Sequence, residues 1–150
     1  MTIQELGHIV LRVRSLEDSV HFYRDILGFR EVAHLGTTGV MFAGGLGRTH
    51  HELLLQQAGA DAEQLPEGRA LGLSHFALKI GTTDEELRLA LDEVKEAGVE
   101  IDHVTDHGMT HSVYLRDPDG IHVEIYIDVQ PELWRDDPSA VGGRSQPLTV

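Results

Sequence analysis

Two short segments of this chain are one pattern written twice. Residues 8–13 read HIVLRV and residues 75–80 read HFALKI, 67 positions apart, each a histidine opening an alternation suited to a β-strand. A repeat at that spacing constrains the fold before anything else is considered, because what one copy forms the other must form too. The following elements agree. Behind the first strand, Ser15 and Asp18 resemble a helix cap, and Leu16, Val20, Tyr23 and Leu27 recur at helical spacing as far as Gly28. Behind the second, Thr83 and Glu86 make the same cap, and Leu87, Ala90, Leu91, Val94 and Ala97 form a stripe that Gly98 ends. Three short strand-like runs follow each helix: FREVAH, GVMFA and HHELLLQ in the first half, VEIDHV, HSVYLR and IHVEIYID in the second.

The expected architecture is therefore α+β, with two βαβββ repeats forming a curved mixed sheet around a central metal-binding cleft. Repeat one covers 6–57 and repeat two 73–128, within a single domain over 1–128, and 150 residues leave little room for a second domain. Residues 57–72 read as a polar linker. Residues 129–150 hold three prolines without periodicity and read as a loosely attached C-terminal tail, pinned at its start by Trp134.

Strand alternation then decides which side chains meet in the cleft. Ile9, Leu11 and Val13 face the helices, which leaves His8, Val10 and Arg12 on the other face; the same parity puts His75 there, and with it Glu124, Tyr126 and Asp128. The chain has ten histidines and no cysteine, so a bound metal must sit on nitrogen and oxygen. Two imidazoles and a carboxylate, His8, His75 and Glu124, form a facial set that holds a divalent ion (iron, zinc, nickel or manganese) and leaves positions open for a substrate. The matching strand of the first half offers a fourth inward group, which is Glu52 if the repeat offset is 72 and His51 if it is 73.

Charge narrows the partners. Twenty-five acidic against twelve basic side chains give a formal charge of -13, which repels phosphate backbones and anionic lipid, so neither nucleic acid nor a membrane is expected as a partner. The opening MTIQELGH lacks the basic-then-apolar shape of a secretory signal, and a cytoplasmic protein is expected. Exposed edges of two small sheets make a homodimer the expected assembly.

The duplicated unit, with HIVLRV and FYRDILGF early and YLRDPDGIHVEIY late, resembles the vicinal oxygen chelate superfamily, which includes glyoxalase I, extradiol ring-cleaving dioxygenases, methylmalonyl-CoA epimerase, fosfomycin-resistance enzymes and bleomycin-binding proteins. The resemblance covers about residues 6–128. Within it, TDHGMTHSVYLRDPDGIHVE is similar to the signature of type I extradiol dioxygenases, carried by Thr105, His107, Val113, Tyr114, Asp117, Pro118, Gly120 and Glu124. The resemblance implies that His8, His75 and Glu124 hold Fe(II), with Ni, Zn or Mn as alternatives. It also implies that His107 and Tyr114 hydrogen-bond a catecholate and oxygen, and that His51 is the acid-base histidine. The substrate would be a small aromatic or oxygenated molecule, cleaved by O2.

Two other activities fit the same superfamily. A glyoxalase I-like lyase or isomerase would use Glu52 as a fourth ligand beside His8, His75 and Glu124, around Ni(II) or Zn(II). A non-catalytic drug-binding protein would need an aromatic cleft, for which an aromatic content of 5% is thin.

Overall fold

Ser15 and Thr83 do start helices, and the two halves build from there. The computed structural model describes residues 1–66, 68, 71–142 and 145–148. In the first half, β1 (Ile9–Val13) leads through Ser15, whose hydroxyl accepts the Asp18 amide, into α1 (Leu16–Val20), then β2 (Arg30–Leu35), β3 (Gly39–Ala43) and β4 (Leu53–Gln57). In the second, β5 (Phe76–Gly81) leads through the full Thr83–Glu86 capping box into α2 (Asp84–Glu96), then β6 (Ile101–Asp106), β7 (Thr110–Arg116) and β8 (His122–Asp128). The βαβββ order holds twice, and the class is α+β.

The chain divides into two units, Met1–Leu65 and Pro66–Val150, each with its own mixed sheet. The first sheet runs β1-β4-β3-β2 and the second β5-β8-β7-β6, extended by a further strand described below. In each, the opening strand pairs parallel with the closing one and the remaining pairs are antiparallel. Alternation along the strands sorts their side chains. Leu11, Val13, Phe42, Leu53 and Leu55 are buried in the first unit, and Val113, Leu115, Val123, Ile125 and Ile127 join Leu87, Leu91 and Val94 of α2 in the second. Each such side chain contributes on the order of 1.5–3 kcal/mol, which is what holds the polar face of each sheet in place.

The first helix departs from the uninterrupted stripe expected of it. After α1 the backbone widens into a π-helical stretch, His21–Ile26, with the Leu27 amide donating to the Phe22 carbonyl at 3.0 Å. Within this stretch the neighbours Phe22 and Tyr23 both turn inward, at 3% and 0% exposure. Their rings meet edge to face at 5.0 Å, and Tyr23, Phe29 and Phe42 continue the aromatic series.

The C-terminal segment carries more structure than its composition suggests. Helix α3 (Pro131–Asp136), a 3-10 turn (Pro138–Gly142) and β9 (Gln146–Pro147) follow β8, and β9 pairs with the outer edge of β6 through Asp106↔Gln146 and Thr105↔Pro147. Pro131 sits in the first turn of its helix, where a missing N–H costs nothing, so the prolines punctuate short elements and leave no period to read. Trp134, expected to pin the start of this segment, is half-buried with the Arg135 guanidinium 5.2 Å above its ring. Linker residues 67, 69 and 70 and tail residues 143, 144, 149 and 150 lie outside the described residues. Among the described residues, no helix is long and apolar enough to cross a membrane.

Candidate metal and catalytic site

In the second unit a row of polar and aromatic side chains crosses the sheet, carried on or beside adjoining strands. Register alone puts Glu124 of β8 opposite Tyr114 of β7, and Tyr114 opposite His103 of β6, while His75 stands just before β5, the parallel neighbour of β8. The distances follow the row. His75 Nε2 lies 3.1 Å from Glu124 Oε2, the His75 and Tyr114 rings meet edge to face at 5.6 Å, and His103 stacks on Tyr114 at 4.3 Å with the planes 10° apart. Glu124 is 8% exposed, deep enough that its charge needs a partner.

Tyr114 is the hub of the row. It stands directly opposite Glu124, and its hydroxyl lies 3.0 Å from Nε2 of His107, which projects from the turn after β6. Burial, then the charge of Glu124, push the phenol up to about 12, so it stays neutral at physiological pH. The other nitrogen of His107, Nδ1, lies 2.8 Å from the Ser145 hydroxyl in the C-terminal segment. Beside it is a cavity of about 360 Å³ lined by Asp106, His107, Met109, Leu133, Ala140 and Gln146.

In the first unit three imidazoles gather. His8, just ahead of β1, has its ring 4.3 Å from His51 and 5.9 Å from His50, and one ligand nitrogen from each of the three lies within 4.8 Å of the others. His51 is buried, and its Nε2 makes no hydrogen bond among the described residues. Burial, then the neighbouring His8 and His50, hold His51 below the ordinary imidazole value. Within the first unit, the orphaned buried nitrogen of His51 beside two more imidazoles is a donor set that fits a divalent ion of nitrogen preference; within the second, His75 and Glu124 form an imidazole–carboxylate pair of the kind such ions also take.

The choice between Glu52 and His51 left open by the repeat offset has a local answer. The side chain beside His8 is that of His51. Glu52 turns its carboxylate onto the Gly44 amide and lies 3.5 Å from Arg48, tying down the loop before β4; a Cβ at Gly44 would sit 3.1 Å from that carboxylate, so glycine keeps the approach open. Sequence reasoning left His103 without a role and passed over Ser145. The stacking of His103 could have been found by folding the β6–β7 hairpin about Gly108, which brings 103 opposite 114. Ser145 had no local signal. His21 and His34 are solvent-facing, at 67% and 61% side-chain exposure. Arg12 is exposed, as is Lys79, which holds the buried Asp128 in an ion pair further along the β5–β8 face.

Two mixed sheets, each of βαβββ order, are the architecture of the chain, and comparison with known proteins gives its family. The model of the Glyoxalase/Bleomycin resistance protein/Dioxygenase superfamily matches residues 5–125, and the chain belongs to that superfamily. It is 34% identical over 132 residues to a catechol-2,3-dioxygenase of Bacillus subtilis (strain 168), covering 88% of this chain and 44% of that protein. It is 29% identical over 126 residues to a lactoylglutathione lyase of Neisseria meningitidis serogroup A, covering 79% of this chain and 87% of that protein. A crystal structure of a glyoxalase/dioxygenase from Nostoc punctiforme shares the fold, with a TM-score of 0.70, 23% identity and coverage of 85% and 92%. The chain thus spans less than half the length of the Bacillus protein.

Proposed function

We propose that this protein is a metal-dependent extradiol-type dioxygenase that opens the ring of a catechol-like substrate with O2, using Fe(II) held by His8, His75 and Glu124. What such an ion supplies when bound is acidity toward the two catechol hydroxyls and a route for electrons from the ring to dioxygen. The rest falls to side chains. His51, buried and held below its ordinary value, is the neutral acid-base imidazole, whose Nε2 has no protein partner among the described residues and is left for a catechol proton. Tyr114, kept as a neutral phenol and braced by the stacked His103, orients the substrate hydroxyl. His107 Nε2, beside that phenol, is the donor toward charge developing on oxygen.

The observation that carries this reading is the Glu124–Tyr114–His107 series. Proton transfer between adjacent carbons, as in a lyase, has no use for a phenol and an imidazole stationed behind a metal carboxylate. The lyase reading is favoured by the near full-length match to lactoylglutathione lyase, yet it would need the Glu52 carboxylate to leave Gly44 and Arg48. A cytoplasmic location and assembly as a homodimer belong to the same proposal; β2, an outer strand of the first sheet among the described residues, offers an edge for pairing with a second copy.

Anaerobic loading with Fe(II), followed by air and a panel of catechols, tests the reaction. Yellow ring-opened product that depends on iron and is lost in Glu124→Ala is the expected result. Colourless mixtures alongside turnover of a hemithioacetal by the Ni(II)-loaded protein would move the assignment to the lyase.

A further inference from the structure

The hydrogen-bonded series around Tyr114 does not stop at His107. Its polarity can be worked out from what each group is able to donate. The Glu124 carboxylate, in the directly opposed position, only accepts, so its charge directs the Tyr114 hydroxyl hydrogen toward it. The phenol oxygen is then left to accept, and the group facing it at 3.0 Å is Nε2 of His107, which must carry the proton. A neutral imidazole has one N–H, so Nδ1 is bare and needs a donor. The group 2.8 Å from Nδ1 is the Ser145 hydroxyl.

Ser145 is held there by the C-terminal segment. The next residue, Gln146, pairs with Asp106 in the β6–β9 ladder and donates from its side-chain amide to the Asp106 carboxylate at 2.9 Å, and the Leu148 amide donates to the Val104 carbonyl at 3.2 Å. The serine thus arrives from 38 residues away in sequence, on a strand laid against the same β6 from whose end His107 projects.

We infer that Ser145 is a positioning residue: by donating to Nδ1 it fixes the orientation and tautomer of His107, so that the Nε2–H is presented to Tyr114 and to a substrate bound there. The inference rests on the dioxygenase reading for its consequence in turnover, and on geometry alone for its consequence in structure. Misorientation of an acid-base group by a fraction of an ångström is costly to a rate without weakening substrate binding.

Ser145→Ala, Ser145→Thr and the pair His107→Gln and His107→Gln/Ser145→Ala are compared in the full-length protein. With Fe(II) and a catechol, Ser145→Ala is expected to lower kcat about tenfold while KM and metal content stay within about twofold, and Ser145→Thr, which keeps the hydroxyl, to restore it. In the His107→Gln background, removing Ser145 should cost nothing more. Independently of activity, the cross-relaxation between the His107 and Tyr114 ring protons in NMR spectra of the metal-free protein should be strong in the wild type and in Ser145→Thr and weak in Ser145→Ala. A protein that cleaves no catechol but shows this loss of ring contact would refute the dioxygenase reading and support the role of Ser145. Unchanged ring contact in Ser145→Ala, or an equal loss of rate in the His107→Gln background, would overturn it.

Discussion

Tyr114 and Glu124 occupy directly opposed positions of neighbouring antiparallel strands, where the charge of Glu124 helps to raise the phenol. That pairing separates two jobs that a single mutation can tell apart. Glu124→Ala or His8→Ala should abolish retention of Fe(II), read by metal analysis after gel filtration. Tyr114→Phe keeps the ring that His75 and His103 pack against and removes only the hydroxyl, so metal should stay and turnover should fall about 100-fold. Equal loss of metal in all three would sink this division of roles.

Glu52 provides a second separation. Its carboxylate serves the Gly44 amide and Arg48. In Glu52→Ala the loop before β4 loses its anchor, at a cost of about 1 kcal/mol for the bond to the amide, while the iron content and the rate on catechol stay near those of the wild type. Loss of metal in this variant, measured by the same analysis, would instead give Glu52 the ligand role of the lyase reading.

Much of this was legible in the sequence because strand parity and helix caps are local. His75, Glu124 and the core face of β8 follow from alternation over a few residues, and the Thr83–Glu86 box forms in full. What was not legible depends on long-range register. The offset between repeats drifts with each loop length, so His51 and Glu52 could not be ranked until the ring of His51 was found against His8. The π-helical turn has no signature beyond two adjacent aromatics, Phe22 and Tyr23, that both need burial. Ser145 reaches His107 only because a two-residue strand pairs with β6, and two residues are too few to carry any period.

The capping box at α2 is the local feature whose stability effect is simplest to read. The Thr83 hydroxyl accepts the Glu86 amide at 3.4 Å, and both the Thr82 and Thr83 amides donate to the Glu86 carboxylate at 2.9 Å. Thr83→Ala should lower unfolding stability by about 1 kcal/mol, seen as a lower urea midpoint with an unchanged slope. Thr83→Ser, which keeps the cap oxygen, should recover most of it. A changed slope would mean that α2 frays on its own and is not part of one cooperative transition.

Asp106 makes the attachment of the C-terminal strand acid-sensitive. The side chain of Gln146, then the Gly108 amide, with smaller help from His111 and His107, hold its carboxyl below the ordinary value. A depressed folded value means that the charged form belongs to the folded state. Its contribution is present in full above the unfolded carboxylate value of about 3.9 and is lost as pH falls through the lower, folded one. Hydrogen exchange at the Leu148 amide, corrected for intrinsic rate, should therefore lose protection in acid below that range while amides in β7 and β8 keep theirs. In Asp106→Ala the Leu148 amide should already be weakly protected at neutral pH, with no further acid step. Because Ser145 directly precedes β9, the acid step should coincide with loss of the His107–Tyr114 ring contact in the wild type; a strand that releases without disturbing that contact would mean that Ser145 is not what holds His107 in place.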